Sequence, residues 1–170
     1  MIPTVDPTTG LLPLGIHSAT MDEVYEVFVE SAPFRDEREL IFRALSVYLD
    51  IIRSRHSPAR VLLNGGFVTH KTWAAPHDAD VAIGLDTRDY KSTFEPDNIS
   101  SWTLQGIQFA KPQPGTLNKV QPMLGLVDGY FFPSALPNFV HFWEDQWGKV
   151  KDEFGNEAVG IRKGYLEMSW

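Results

Sequence analysis

Apolar positions change their spacing several times along the chain, and each change marks an element. The clearest signal runs from Asp36 to about Arg55. There Leu40, Ile41, Ala44, Leu45, Tyr48, Ile51 and Ile52 recur at helical spacing and form one apolar face, with Pro58 beyond the end. Ahead of it, Thr20-Met21-Asp22-Glu23 has the form of a capping box, which predicts a short helix that stops near Pro33. Residues 1–19 are rich in Pro, Gly and Thr and read as an irregular arm. The period then shortens: Arg60-Val61-Leu62-Leu63-Asn64 is a short buried strand broken by Gly65-Gly66, and residues 67–71 are a turn or a helix start. A second strand covers Asp78 to Leu85 and ends at Asp86-Thr87-Arg88-Asp89.

Residues 91–115 carry Ser, Pro and Gln and read as loops, with one short strand at Ile107-Gln108-Phe109. Met123 to Phe132 predicts a third strand stopped by Pro133, and Phe139 to Trp147 a helix. Gly155-Asn156 suits a hairpin turn between residues 150–154 and a last strand, Val159 to Met168. This order predicts an α+β (mixed α/β) fold: a mixed β-sheet with helices mainly on one face, forming a single domain over residues 20–170.

The second strand carries the chemistry. Alternate residues of a strand share a face. Ala79, Val81, Ile83 and Leu85 form an apolar side suited to the long helix, whereas Asp78, Asp80, Ala82 and Gly84 form the other. Two carboxylates followed by the smallest side chains leave room for a cavity beside the acids. Like charges on one face raise each other's pKa, and a divalent cation removes the conflict. Mg²⁺ suits such a site because it takes oxygen ligands and keeps positions for water and phosphate. In the third strand Asp128 stands among apolar residues and groups with Leu126, Tyr130 and Phe132. If the two strands are neighbours, three carboxylates converge. The alternative for Asp128 is a buried salt bridge with Arg60, Arg162 or Lys163.

Composition narrows the field. An apolar fraction of 43% and a charged fraction of 22% suit one globular core, and no apolar run approaches the span of a bilayer. The N-terminal residues lack a signal-peptide pattern, so a cytoplasmic location and no membrane partner are expected. There is no cysteine, which excludes disulfides and thiolate metal sites. A net charge of −7 argues against broad nucleic-acid binding, while free nucleotides carried with a divalent cation remain compatible.

His70 and His77 flank the acids, but without a cysteine or a helical histidine pair they read as solvated loop residues rather than zinc ligands. His17, His56 and His141 have no recognisable partners in the sequence. Phe139, Phe142, Trp143 and Trp147 read as helix packing, and Lys149, Lys151, Arg162 and Lys163 as exposed hairpin charges, Lys163 being the candidate for a phosphate contact.

Gly65-Gly66 after a strand, followed by Asp78-x-Asp80 opening the next, resembles the hG[GS]…[DE]h[DE]h signature of the DNA polymerase β-like nucleotidyltransferase superfamily. Asp128 matches its later-strand carboxylate. The chain more closely resembles a family of minimal nucleotidyltransferase-like bacterial proteins of unknown function. That likeness is carried by residues 14–20 (LGIHSAT), 64–71 (NGGFVTHK) and 162–167 (RKGYLE). The resemblance implies two Mg²⁺ ions held by Asp78, Asp80 and Asp128, and a nucleoside triphosphate as substrate. It also implies transfer of an NMP to a hydroxyl of an acceptor, whether protein, RNA end or small molecule. Gly65 and Gly66 would let backbone N–H groups approach the triphosphate. Many members of the superfamily have Ser where Gly66 stands, so a hydroxyl contact is missing; Thr69 and Lys71 lie close enough in sequence to substitute. Similar minimal domains occur in toxin–antitoxin and phage-defence modules. The alternative is a catalytically silent nucleotidyltransferase fold serving as a binding or regulatory partner.

Overall fold

The computed structural model describes residues 1–58, 60–93 and 122–168. The strand expected at residues 107–109 lies outside the described residues. Strand β1 (Ile16–Ala19) leads into helix α1 (Met21–Tyr25) and a π-helical turn (Glu26–Glu30), followed by the long helix α2 (Arg35–Arg53). Then come β2 (Arg60–Asn64), β3 (Ala79–Leu85), α3 (Thr87–Ser92), a 3-10 turn (Pro122–Gly125), β4 (Val127–Pro133) and α4 (Pro137–Trp147). Three strands finish the described chain: β5 (Lys149–Lys151), β6 (Glu157–Arg162) and β7 (Tyr165–Met168).

Five strands make one mixed sheet in the order β1-β7-β2-β3-β4, and β5 and β6 form a separate hairpin. The outer pairs, β1 with β7 and β3 with β4, are parallel, while β2 runs antiparallel to both of its neighbours. The fold is therefore α+β with a mixed sheet, as expected.

Strand alternation divides the core into two layers. Ala79, Val81, Ile83 and Leu85 of β3 join Val61 and Leu63 of β2 and the α2 residues Ile41, Leu45, Tyr48 and Ile52 in the larger cluster. On the opposite face Leu62, Ala82, Phe132 and Tyr165 pack against Trp143 and Trp147 of α4. Helices α1 and α2 thus share one face, and α4 covers the other.

Local signals explain the helix boundaries. The Thr20 hydroxyl accepts from the Glu23 N–H at 3.2 Å, and the Glu23 carboxylate accepts from the Thr20 N–H at 3.0 Å, completing the capping box. The buried face of α2 is rotated from the expected one. Leu40 is 57% exposed, whereas Arg38 is fully buried in line with Ile41, Leu45, Tyr48 and Ile52.

Arg38 is the main polar fixture of the interior. Its guanidinium donates to Pro33 O at 2.6 Å, Phe28 O at 3.0 Å, Phe67 O at 2.7 Å and Thr69 O at 2.7 Å. One side chain therefore ties α2 to the end of the π-helical turn and to the loop after β2. Burial lowers its pKa to about 10, so the guanidinium remains charged at neutral pH.

Three expected boundaries differ. Residues 1–19 are not merely an irregular arm, because β1 is an edge strand of the sheet and Ile2, Val5 and Leu12 are buried in the main core. The third strand begins at Val127, not Met123; Met123 and Leu124 adopt φ of 52° and 59°, outside strand geometry. The last strand is two strands. The chain leaves the β5–β6 hairpin at Lys163-Gly164 and enters the main sheet as β7, with Gly164 N–H on Leu12 O at 3.2 Å. A Cβ on Gly164 would lie 2.7 Å from His17 Nε2, so the crossing needs glycine.

Arg38→Met should cost about 3–5 kcal/mol by stranding several buried carbonyls. Thermal denaturation should show a melting temperature lower by on the order of 10 °C. Arg38→Lys should recover only part of that, since an ammonium cannot reproduce the guanidinium fork.

Candidate active site

Parallel pairing of β3 with β4 sets Asp80 directly opposite Asp128. Neighbouring strands lie roughly 4.8 Å apart, and residues abreast in a parallel pair point to the same face. On the other side of β3, Asn64 is the antiparallel partner of Asp80. A polar row, Asn64–Asp80–Asp128, thus crosses three adjacent strands, β2, β3 and the edge strand β4, at one level. Asp128 is buried at 8% exposure and Asp80 is half-buried. Asp78 immediately precedes β3, and its charge acts on Asp80.

The row is electrostatically costly. Burial, followed by the charges of Asp78 and Asp128, pushes the Asp80 carboxyl from its ordinary 3.8 up to about 7, while Lys163 and Lys151 oppose the rise. Tyr130 stands two residues after Asp128, opposite Ala82. Burial and then Asp80, Asp128 and Asp78 raise its hydroxyl pKa, so the phenol keeps its proton and can donate.

Gly65 and Gly66 form the rim. Gly65 adopts φ +81°, and a Cβ there would collide with Asp80 Oδ2. Glycine is required on both counts: the backbone turns left-handed and passes directly over the carboxylate. A Cβ on Gly66 would lie 3.1 Å from Lys71 Nζ, which puts the Lys71 ammonium against the rim. Burial and the Arg38 charge lower the Lys71 pKa, with Asp78 opposing. The Thr69 hydroxyl donates to Gly66 O at 2.8 Å, so its proton is committed to holding the loop.

Lys163 is not an exposed hairpin charge. It is 4% exposed, and its ammonium donates to Asn64 Oδ1 and, at 2.9 Å, to Gly65 O. Burial pulls its pKa down to about 7; Asp80 raises it and Lys71 lowers it further. Asn64 in turn donates to Trp147 O at 2.7 Å, linking the row to α4. Gly65 and Lys163 come together beside Asp80, while Lys71 stands at Gly66 and acts on Asp78.

Other expected partnerships resolve differently. Arg60 pairs with Glu167 at 2.6 Å and Arg162 with Asp145 at 3.1 Å. The space expected beside Ala82 and Gly84 is filled: a Cβ on Gly84 would lie 2.8 Å from Phe132 Cζ, and Ala82 packs with Trp143. Small residues there admit aromatic rings, so no space is left beside them. His70 is half-buried rather than solvated, bonded through Nε2 to Val27 O at 2.8 Å. His56 is buried beside Asp89 at 3.8 Å, His17 bonds Pro13 O at 2.7 Å, and His141 pairs with Glu144 at 3.0 Å. Trp143 and Trp147 are core residues as expected, but Phe139 and Phe142 are exposed.

Sequence reasoning missed Asn64 and Arg38. Asn64 ends a buried strand, where an amide needs a partner, and Arg38 lies three residues before Ile41 on an apolar face; both signals were available.

The donors present are carboxylate oxygens, the ligand type a hard divalent cation takes, and beside burial the charges of Asp78 and Asp128 raise the Asp80 carboxyl in the way such a cation would oppose. Among the described residues, no group of three or more His, Asp or Glu side chains is placed so that it could hold a metal ion.

Fold and site together define an α+β protein with an acidic row beside a glycine turn, one lysine against its rim and another buried beneath it. The chain belongs to DUF6932, a family of unknown function, whose model matches residues 3–169. No curated protein and no solved structure matches it. Among the described residues, no helix is long and apolar enough to cross a membrane.

The Asp80 shift has a consequence for stability. The folded carboxyl titrates near 7 and the unfolded one near 3.8, so the folded state binds the extra proton between these values and loses stability as pH rises through them. Asp80→Asn cannot ionise. In the presence of EDTA, its melting temperature should gain on the wild type from about pH 4 to about pH 7 and keep a constant lead above that. Parallel melting curves across this range would remove the electrostatic account.

Proposed function

We propose that the chain is a Mg²⁺-dependent nucleotidyltransferase that moves an NMP from a nucleoside triphosphate to an acceptor hydroxyl. The observation that carries this reading is the register of β3 and β4, which sets Asp80 and Asp128 abreast under a glycine loop. Asp78, Asp80 and Asp128 would hold Mg²⁺. When bound, the metal neutralises triphosphate charge and favours the alkoxide form of the attacking hydroxyl.

The chain's own groups do the rest. Gly65 and Gly66 leave the rim without side chains, so phosphate oxygens can reach the backbone. Lys71 brings a positive charge to Gly66, where the superfamily pattern often has a Ser hydroxyl. Lys163 holds the loop from beneath and moderates the charge of Asp80. Asp128, on the edge strand β4, faces the acceptor side and orients its hydroxyl. In the reaction the acceptor hydroxyl gives up its proton to water, its oxygen bonds to the α-phosphorus, the bond from that phosphorus to the bridging oxygen breaks, and pyrophosphate leaves with the electron pair.

The acceptor class is a hydroxyl on a protein, an RNA end or a small molecule. A toxin–antitoxin or phage-defence setting is an analogy drawn from the resemblance alone, and a cytoplasmic location draws on the lack of a signal-peptide pattern. The second reading, a silent nucleotidyltransferase fold that acts as a binding or regulatory partner, draws on Gly66 and on the buried Lys163 ammonium, which already offsets part of the acidic charge.

Incubation with labelled ATP, CTP, GTP and UTP in Mg²⁺ separates the two. Label transfer or pyrophosphate release is expected, falling at least about a hundredfold in Asp80→Ala. No turnover with any nucleotide and acceptor would support the silent fold.

A further inference from the structure

Trp73 lies on the loop between the glycine rim and the acids and is 49% exposed. Half-exposed tryptophan leaves much apolar surface in water, and nothing in the core requires it at this place. The ring is nevertheless held. Lys71 Nζ sits 4.5 Å from its centroid, and the same ammonium lies against Gly66. Pro76 closes the same loop: a Cβ on Gly66 would come within 3.9 Å of its Cβ. The aromatic ring is therefore fixed one ammonium group away from the rim over Asp80, with open solvent beside it.

We infer that Trp73 is the stacking platform for the nucleobase, with Lys71 placed between base and phosphates to serve both. The inference rests on the nucleotide reading of the carboxylate cleft. Its chemistry is independent of base identity, because every base presents a π-face to an indole ring. A nucleotide whose phosphates lie at Gly65 and Gly66 carries its base outward from the acids, and Trp73 is the exposed aromatic that the loop brings there. Lys71 loses little by this arrangement: cation–π attraction to the indole and Coulombic attraction to phosphate act together.

Calorimetric titration can isolate the base contribution. The wild type, Trp73→Ala and Trp73→Phe are each titrated, in Mg²⁺, with non-hydrolysable ATP and CTP analogues and with inorganic tripolyphosphate. Trp73→Ala should bind the nucleotides about tenfold more weakly, Trp73→Phe should retain most of the affinity, and tripolyphosphate should bind all three proteins equally. Nucleotide affinity unchanged in Trp73→Ala, or wild type that binds tripolyphosphate as tightly as nucleotide, would overturn the stacking role while leaving the cleft's assignment intact. Wild type that binds neither probe would overturn both.

Discussion

The buried Arg38 guanidinium is the constraint on which the site depends. A charge with no exposure to water must be surrounded by acceptors, and here four backbone carbonyls from three segments supply them. Two of those carbonyls belong to Phe67 and Thr69, directly after the glycine rim. The loop that carries Gly65, Gly66 and Lys71 is therefore bolted to α2 rather than left to its own turn propensity. Thr69 and His70 complete the attachment, one to Gly66 O and the other to Val27 O. Rigidity of this kind would suit the phosphate contact proposed for the loop, because backbone groups that bind a ligand must be in place before it arrives.

Against that fixed rim, the sheet concentrates negative charge. Asp80 and Asp128 are neighbours only because β3 and β4 pair in parallel at that register; a slip of one residue would turn Asp128 to the opposite face. The cost appears in the raised Asp80 pKa, and the partial offset comes from Lys163, drawn into the interior by Asn64 and Gly65. Such opposed, buried charges are weak contributors to stability and are typical of sites that bind charged ligands. The two tiers are linked by Asn64, which bonds both Lys163 and the last turn of α4.

Much of this was legible in the sequence because strand parity and helix periodicity are local properties. The span of β2, the capping box at Thr20, the two faces of β3 and the grouping of Asp128 with Tyr130 all follow from spacing. The buried face of α2 differs from the apolar face by a fraction of a turn, with Leu40 in solvent and Arg38 in the core. Hydrophobicity alone cannot rank an exposed Leu against an arginine two of whose four carbonyl partners lie 29 and 31 residues away. The break at Lys163-Gly164 was hidden for a similar reason: continuous apolar alternation looks like one strand, and only the close approach of the N-terminal segment divides it in two. The N-terminal residues themselves carry turn-rich composition, and their pairing with β7 depends on the far end of the chain.

The central claim is that Asp80 and Asp128, abreast beneath the glycine rim, form a divalent-cation site with Asp78. Mn²⁺ titration followed by electron paramagnetic resonance tests it most directly, since bound and free ions give distinct signals. The account expects the wild type to bind Mn²⁺, more tightly when a non-hydrolysable nucleoside triphosphate is present, and binding to be lost in both Asp80→Asn and Asp128→Asn. Mn²⁺ binding that is unchanged in either variant, or that is absent from the wild type even with nucleotide, would contradict it.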